Sequence, residues 1–166
     1  DADVWRDTRF IEKITALCSE FKNYFNFEDM KMVSQNGDML HHYIHNVRTK
    51  IRFIHLFPGD KSVESVWDDV AAKISSRCDR LVKEMENAGR VLICWGHRMY
   101  SQKSTLDAPV SDEDIKKAIS LLAKRFPKTD IDIAFFEHDG TKKEFEYDKI
   151  EVCKNAFRIR TNHYIV

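Results

Sequence analysis

Val91-Leu92-Ile93-Cys94-Trp95 is the stretch on which the reading of the fold turns. Five apolar residues without a break read as a strand buried on both faces, the pattern of a parallel sheet covered by helices. Upstream, apolar residues recur at helical spacing from about Val63 to Ala88, among them Trp67, Ile74, Cys78 and Met85. Ser62 stands at the capping position and Gly89 where a C′ glycine belongs. Before that helix, Ile51-Arg-Phe-Ile-His-Leu-Phe57 is a β-branched and aromatic run stopped by Pro58-Gly59, and it reads as a strand.

Downstream the alternation continues. Pro109 and Ser111 open a further helix, and Ser111 with Asp114 resembles a capping box. Ile115, Ala118, Leu122 and Phe126 form its apolar face, and Pro127 ends it. Ile131-Asp-Ile-Ala-Phe-Phe136 then reads as the third strand. Strand, helix, strand, helix, strand is the order of crossovers on a parallel sheet. The expected fold is therefore α/β: three layers, a mostly parallel sheet flanked by helices, Rossmann-like. No linker or repeat divides the chain, so residues 1–166 read as one domain.

The flanks are less regular. Phe10, Ile14, Leu17, Phe21 and Phe25 predict a helix from about Thr8 to Phe25. Asn26 to Asp38 is mixed, and Met39 to Val47 is ambiguous between strand and helix. Asp139-Gly140 is a hairpin dipeptide. Thr141 to Lys149 is charged enough to be a loop, and short strands are expected at 150–153 and 157–160.

Composition sets outer bounds. The 166 residues carry 27 Lys+Arg and 27 Asp+Glu, so the formal net charge is zero. A neutral chain lacks the global basic field that non-specific nucleic-acid binding needs, so no nucleic acid is expected as a partner. No apolar run is long enough for a membrane span. With no signal peptide in view, a reducing, cytoplasmic setting is expected, with Cys18, Cys78, Cys94 and Cys153 as thiols. With Asp1 in place of an initiator Met, the chain is expected to be a processed product, a cloned fragment or the ordered part of something longer.

Chemistry is sought where strands of an open α/β sheet end. His55, His97 and His138 follow three such strands and are candidate acid–base groups. Asp60, Glu137 and Asp139 could orient them, and Arg52 and Arg98 suit a phosphate or carboxylate. Arg52, Asp60, Arg98 and Glu137 are also the expected substrate-contacting residues. Cys94 reads either as a nucleophile activated by a nearby imidazole or as a small hydrophobe packed in a core strand; packing is preferred. His41, His42 and His45 read as surface histidines, since no H-E-x-x-H arrangement accompanies them. No metal and no cofactor is expected. No P-loop, G-x-G-x-x-G or G-x-S-x-G motif occurs.

The run Phe21-Lys-Asn-Tyr-Phe-Asn-Phe-Glu-Asp-Met30, the strand with His55 before Phe57-Pro58, the helix residues Arg77, Asp79, Arg80 and Leu81, and Val91-Leu-Ile form one series. Over roughly Ile11 to Ile133 this series resembles a bacterial family of unknown function described as papain-like cysteine peptidases. The family's His-Asp-Phe-Pro reads His55-Leu56-Phe57-Pro58 here, and its N-terminal Cys segment has no counterpart. The resemblance implies His55 as general base, with the nucleophile upstream of Asp1 or at Cys94. Its members look like companions of surface-polysaccharide synthesis. That implies an alternative, a sugar- or phosphate-group transferase taking a small-molecule or glycan substrate. A non-catalytic interaction domain is the third expectation.

Overall fold

The computed structural model describes residues 10–34, 40–49, 51–96 and 110–162. They form two compact units, one from residues 12–84 and the other from residues 10 and 11 with 85–162. Each has its own sheet, and the three-layer, mostly parallel Rossmann-like fold expected above is not what forms.

The first unit is built on an antiparallel meander, β1 (Met30–Ser34), β2 (His41–Asn46) and β3 (Arg52–Pro58), in that order across the sheet. The strand read at Ile51 to Phe57 therefore belongs here and not to a parallel sheet. The cause is local. β2 and β3 are separated by only a few residues, which suffices for an antiparallel return but not for a parallel crossover. Asn46, fully buried, organises that return. Its Oδ1 accepts from the backbone N–H of Arg48 and of Thr49, each at 2.9 Å, and its Nδ2 donates to the Tyr24 carbonyl at 3.0 Å. The ambiguous segment after Met39 is thus strand, and β1 arises in the stretch that looked merely mixed.

Helix α1 (Phe10–Cys18) stops well short of Phe25. Glu20, Phe21 and Asn23 take left-handed φ angles of 55°, 56° and 59°, a region non-glycine residues rarely visit. Packing accounts for the early end. Phe25 leaves the helical stripe and, with Tyr24, joins an aromatic cluster on the sheet. Phe25 stacks on Trp67 with centroids 4.7 Å apart and meets Phe53 edge to face at 5.1 Å. Trp67 lies on α2 (Val63–Asn87), whose start is capped as expected, Ser62 Oγ accepting from the Ser65 amide at 3.2 Å. Phe53 and Phe57 of this cluster are fully buried, as is Ile51. Burying three such side chains stabilises the unit by several kcal/mol, at about 1.5–3 kcal/mol each.

The second unit holds a mixed sheet in the order β4 (Arg90–Gly96), β5 (Asp130–His138), β7 (Ala156–Thr161), β6 (Tyr147–Cys153). β4, β5 and β7 run parallel, and β6 is antiparallel to β7. Helix α3 (Asp112–Arg125) connects β4 to β5. Ser111 Oγ caps it by accepting from the Asp114 amide at 3.1 Å. Its Ile115, Ala118 and Leu122 are buried, as their spacing predicted.

Three expectations fail here. Among the described residues the apolar run Val91 to Trp95 is not a central strand: β4 is an edge, and its residues alternate between exposed and half-buried, with Leu92 57% exposed. Gly89 ends α2 without a left-handed φ; its carbonyl instead accepts from the Asp130 amide at 3.0 Å. Asp139-Gly140 does not make a hairpin of its flanking strands, because β7 lies between β5 and β6. The hairpin is β6–β7, turned at Lys154-Asn155 with Asn155 at φ 70°.

Candidate functional site

Side chains of an antiparallel strand alternate between faces, so β2 deals its histidines to two sides. His42 faces the core, 7% exposed, with Nε2 2.8 Å from the Lys61 carbonyl oxygen. His41 and His45 face outward with Tyr43, all half-buried. Paired residues share a face, and the register sets Lys31 beside His45 and His45 beside Arg52. One lysine, one histidine and one arginine thus form a row across all three strands. Directly opposed residues of neighbouring strands stand about 4.5–5.5 Å apart at Cβ.

His55 joins the same face by an irregularity. His42 pairs with Phe57 and Ile44 with Phe53, so one β2 residue spans the distance of three on β3. Strict alternation would align His55 with Phe53 and Phe57 in the core. The register shift turns it out instead, exposed, with its ring edge to face against His41 at a centroid distance of 5.2 Å. The outward face therefore gathers two touching imidazoles, a third imidazole and two permanent cations. Chemically, such a face can hold an anion through its cations and exchange protons through imidazole.

The other expected site residues are not gathered with it. Asp60 is an exposed turn residue after β3. His97 and Arg98 lie outside the described residues. Glu137 and His138 end β5, a strand of the other sheet, so the strand-end row expected of His55, His97 and His138 has lost its premise: those strands do not share one parallel sheet. Glu137 belongs to an ion-pair network. It accepts from Arg158 Nη1, and from Arg160 Nε at 3.3 Å. Arg158 also donates to Asp112 at the start of α3, at 2.7 Å. Burial disfavours the Arg158 charge, but the hydrogen bonds and charges of Asp112 and Glu137 outweigh it and raise its pKa. Asp139 is occupied too: its carboxylate accepts from the Thr141 hydroxyl and amide, which hold it below the ordinary carboxylate range.

All four cysteines are thiols, none in a disulfide. Cys94 is exposed on β4, which overturns its preferred reading as a packed core residue. Cys78 and Cys18 are half-buried; burial, with the neighbouring charge of Asp79, pushes the Cys78 thiol up to about 11. No metal-binding group of three His, Cys, Asp or Glu side chains occurs among the described residues, and no helix among them is long and apolar enough to cross a membrane. Sequence reasoning singled out neither Lys31 nor Tyr43, and took His41, His42 and His45 only as surface histidines, of which His42 is instead buried. The signal was present in the alternation of His41, Tyr43 and His45 along a short strand, but it needed the strand to be recognised first. Comparison with protein-family models, curated proteins and solved structures returned no match to this chain.

Proposed function

We propose that the outward face of the β1–β2–β3 sheet binds a phosphate-bearing small molecule or glycan precursor, as a sugar- or phosphate-group transferase would. The observation that carries this reading is the Lys31–His45–Arg52 row beside the His41–His55 ring contact. Arg52 presents a planar fork of donors matched to phosphate oxygens, and Lys31 adds a point charge. An imidazole can donate a proton from one ring nitrogen and accept one at the other, so His41 and His55 suit proton transfer to or from a bound group. The thiol state of all four cysteines is what a reducing, cytoplasmic setting maintains. The test is titration of the chain at low salt with inorganic phosphate and with nucleotide-sugars, followed through the imidazole C–H resonances. The reading expects His41, His45 and His55 to shift, and Arg52→Ala to abolish the shift. Resonances that stay still at millimolar ligand would end it.

A second reading follows from the resemblance to papain-like cysteine peptidases, and the exposure of Cys94 favours it. A substrate can reach that thiol. Rapid alkylation of Cys94 near pH 6, ahead of Cys18, Cys78 and Cys153, is the expected sign. Equal, slow labelling of all four counts against it.

A further inference from the structure

β6 is an edge strand, paired on one side by β7 and by no other strand among the described residues. Residues 147–151 are exposed on both faces, and their pairing to β7 is regular until the irregularity between Glu151 and Cys153. An exposed, regular edge is a template for a further strand. Its side chains narrow which strand fits.

We infer that β6 pairs antiparallel with β6 of a second copy about a two-fold axis at Ile150, joining the two mixed sheets into one. The register follows from charge. With Ile150 opposite itself, Lys149 stands opposite Glu151 of the second copy, and Glu151 opposite its Lys149. Opposite charges directly across a strand pair are favourable and like charges unfavourable. Sliding by two residues one way sets Lys149 against Lys149, and by two the other way Glu151 against Glu151. Sliding by one sets Asp148 against Glu151 in one direction and leaves every charge without its complement in the other. Only the Ile150-centred register matches Lys with Glu, and it does so twice because a two-fold contact repeats each pair.

Lys149, Ile150 and Glu151 are all exposed, within reach of a second copy. Ile150 is 39% exposed and would meet its counterpart on the axis. The Lys149 ammonium lies over the Phe157 ring, 4.3 Å from its centroid, on the sheet face that Glu151 shares through its pairing with Phe157. Asp148 is engaged with Lys142 at 2.7 Å, so it does not compete for Lys149.

The test is charge exchange, read by light scattering and sedimentation of the full chain from micromolar concentration upward. The native chain is expected to dimerise with rising concentration and to dissociate with added salt, since exposed pairs are screened. Lys149→Glu and Glu151→Lys, each alone, set two like charges opposite and should weaken the dimer about tenfold or more. The double variant K149E/E151K restores both pairs with reversed sign and should dimerise again. Circular dichroism checks that each variant keeps its fold. If a single reversal fails to fold, recovery of the dimer in the double variant still decides. A native chain that stays monomeric across the range overturns the inference. So does a dimer indifferent to the single reversals, or a folded double variant that stays monomeric. An edge that captures only foreign extended peptides falls under the first of these.

Discussion

His41 and His55 touch edge to face across β2 and β3, 5.2 Å between ring centroids, and they do so because β3 departs from regular pairing. In a regular strand His55 would share the buried face of Phe53 and Phe57. A buried imidazole among aromatic rings needs hydrogen-bond partners there. The irregularity avoids that cost and delivers a proton-exchanging group to an outward face that already carries His45, Arg52 and Lys31.

From this contact, His55→Gln should weaken binding of phosphate-bearing ligands severalfold while leaving stability within about 0.5 kcal/mol, the range for exposed substitutions. Calorimetric titration and chemical denaturation, run on the same preparation, separate the two effects. A matching loss of stability would mean that His55 is structural.

Asn46→Ala should destabilise the first unit by about 2–4 kcal/mol. The change removes one donor and one doubly used acceptor from a fully buried position and leaves the Tyr24 carbonyl and two turn amides seeking partners. Urea denaturation measures the cost. Asn46→Asp should recover part of it, because the acceptor that holds the turn remains.

Phe53→Ala should cost about 3–5 kcal/mol, the range for emptying a fully buried aromatic position. Phe53 meets Tyr24 at 5.7 Å and Phe25 at 5.1 Å. The accompanying change in Trp67 fluorescence, through the Phe25 stack, would place the loss in this cluster.

Arg158→Lys should lower the stability of the second unit by about 1–3 kcal/mol despite keeping the charge. A single ammonium cannot donate at once to Asp112, to Glu137 and to the Val110 carbonyl, as the guanidinium does. Thermal unfolding of this variant beside Arg160→Lys gives the contrast, since Arg160 makes one longer contact with Glu137 and should lose less.

Stability should fall on the alkaline side. The Cys78 thiol is raised from its ordinary 9.0 to about 11 by burial and by Asp79. Between those values the unfolded chain gives up this proton first, so the contribution is intact below about pH 9 and lost as pH rises toward 11. Buried Tyr24, whose phenol is also raised, acts in the same direction at higher pH. Cys78→Ala should flatten the first part of that decline in denaturation midpoints measured across the range.

The legible parts of the fold are those that neighbours along the chain decide. Ser62 and Ser111 cap the two longer helices where their spacing placed them, and the apolar face of α3 is buried as read. The run Val91 to Trp95 is strand, but apolarity alone did not distinguish a central strand from an edge. For α1 the periodic stripe continued through Phe25, yet Tyr24 and Phe25 pack edge to face against Phe53 on the sheet instead of extending the helix. Of the candidate site, Arg52 and His55 were visible as polar residues in an apolar strand. Their companions were hidden, because Lys31 and His45 join them only through cross-strand register.

What the sequence by itself determined is the set of local elements: two capped helices, the strands at 51–57, 91–95 and 131–136, and the neutral charge of the whole. Those follow from side-chain spacing, caps and prolines, which act within a few residues. Only the tertiary structure decided which strands share a sheet, that β4 and β6 are edges, and that His55 turns outward to meet His41. Such outcomes depend on partners distant in the chain, on connection length and on competition for one buried surface. A one-residue shift in pairing reverses which face a side chain occupies, and no local pattern records it.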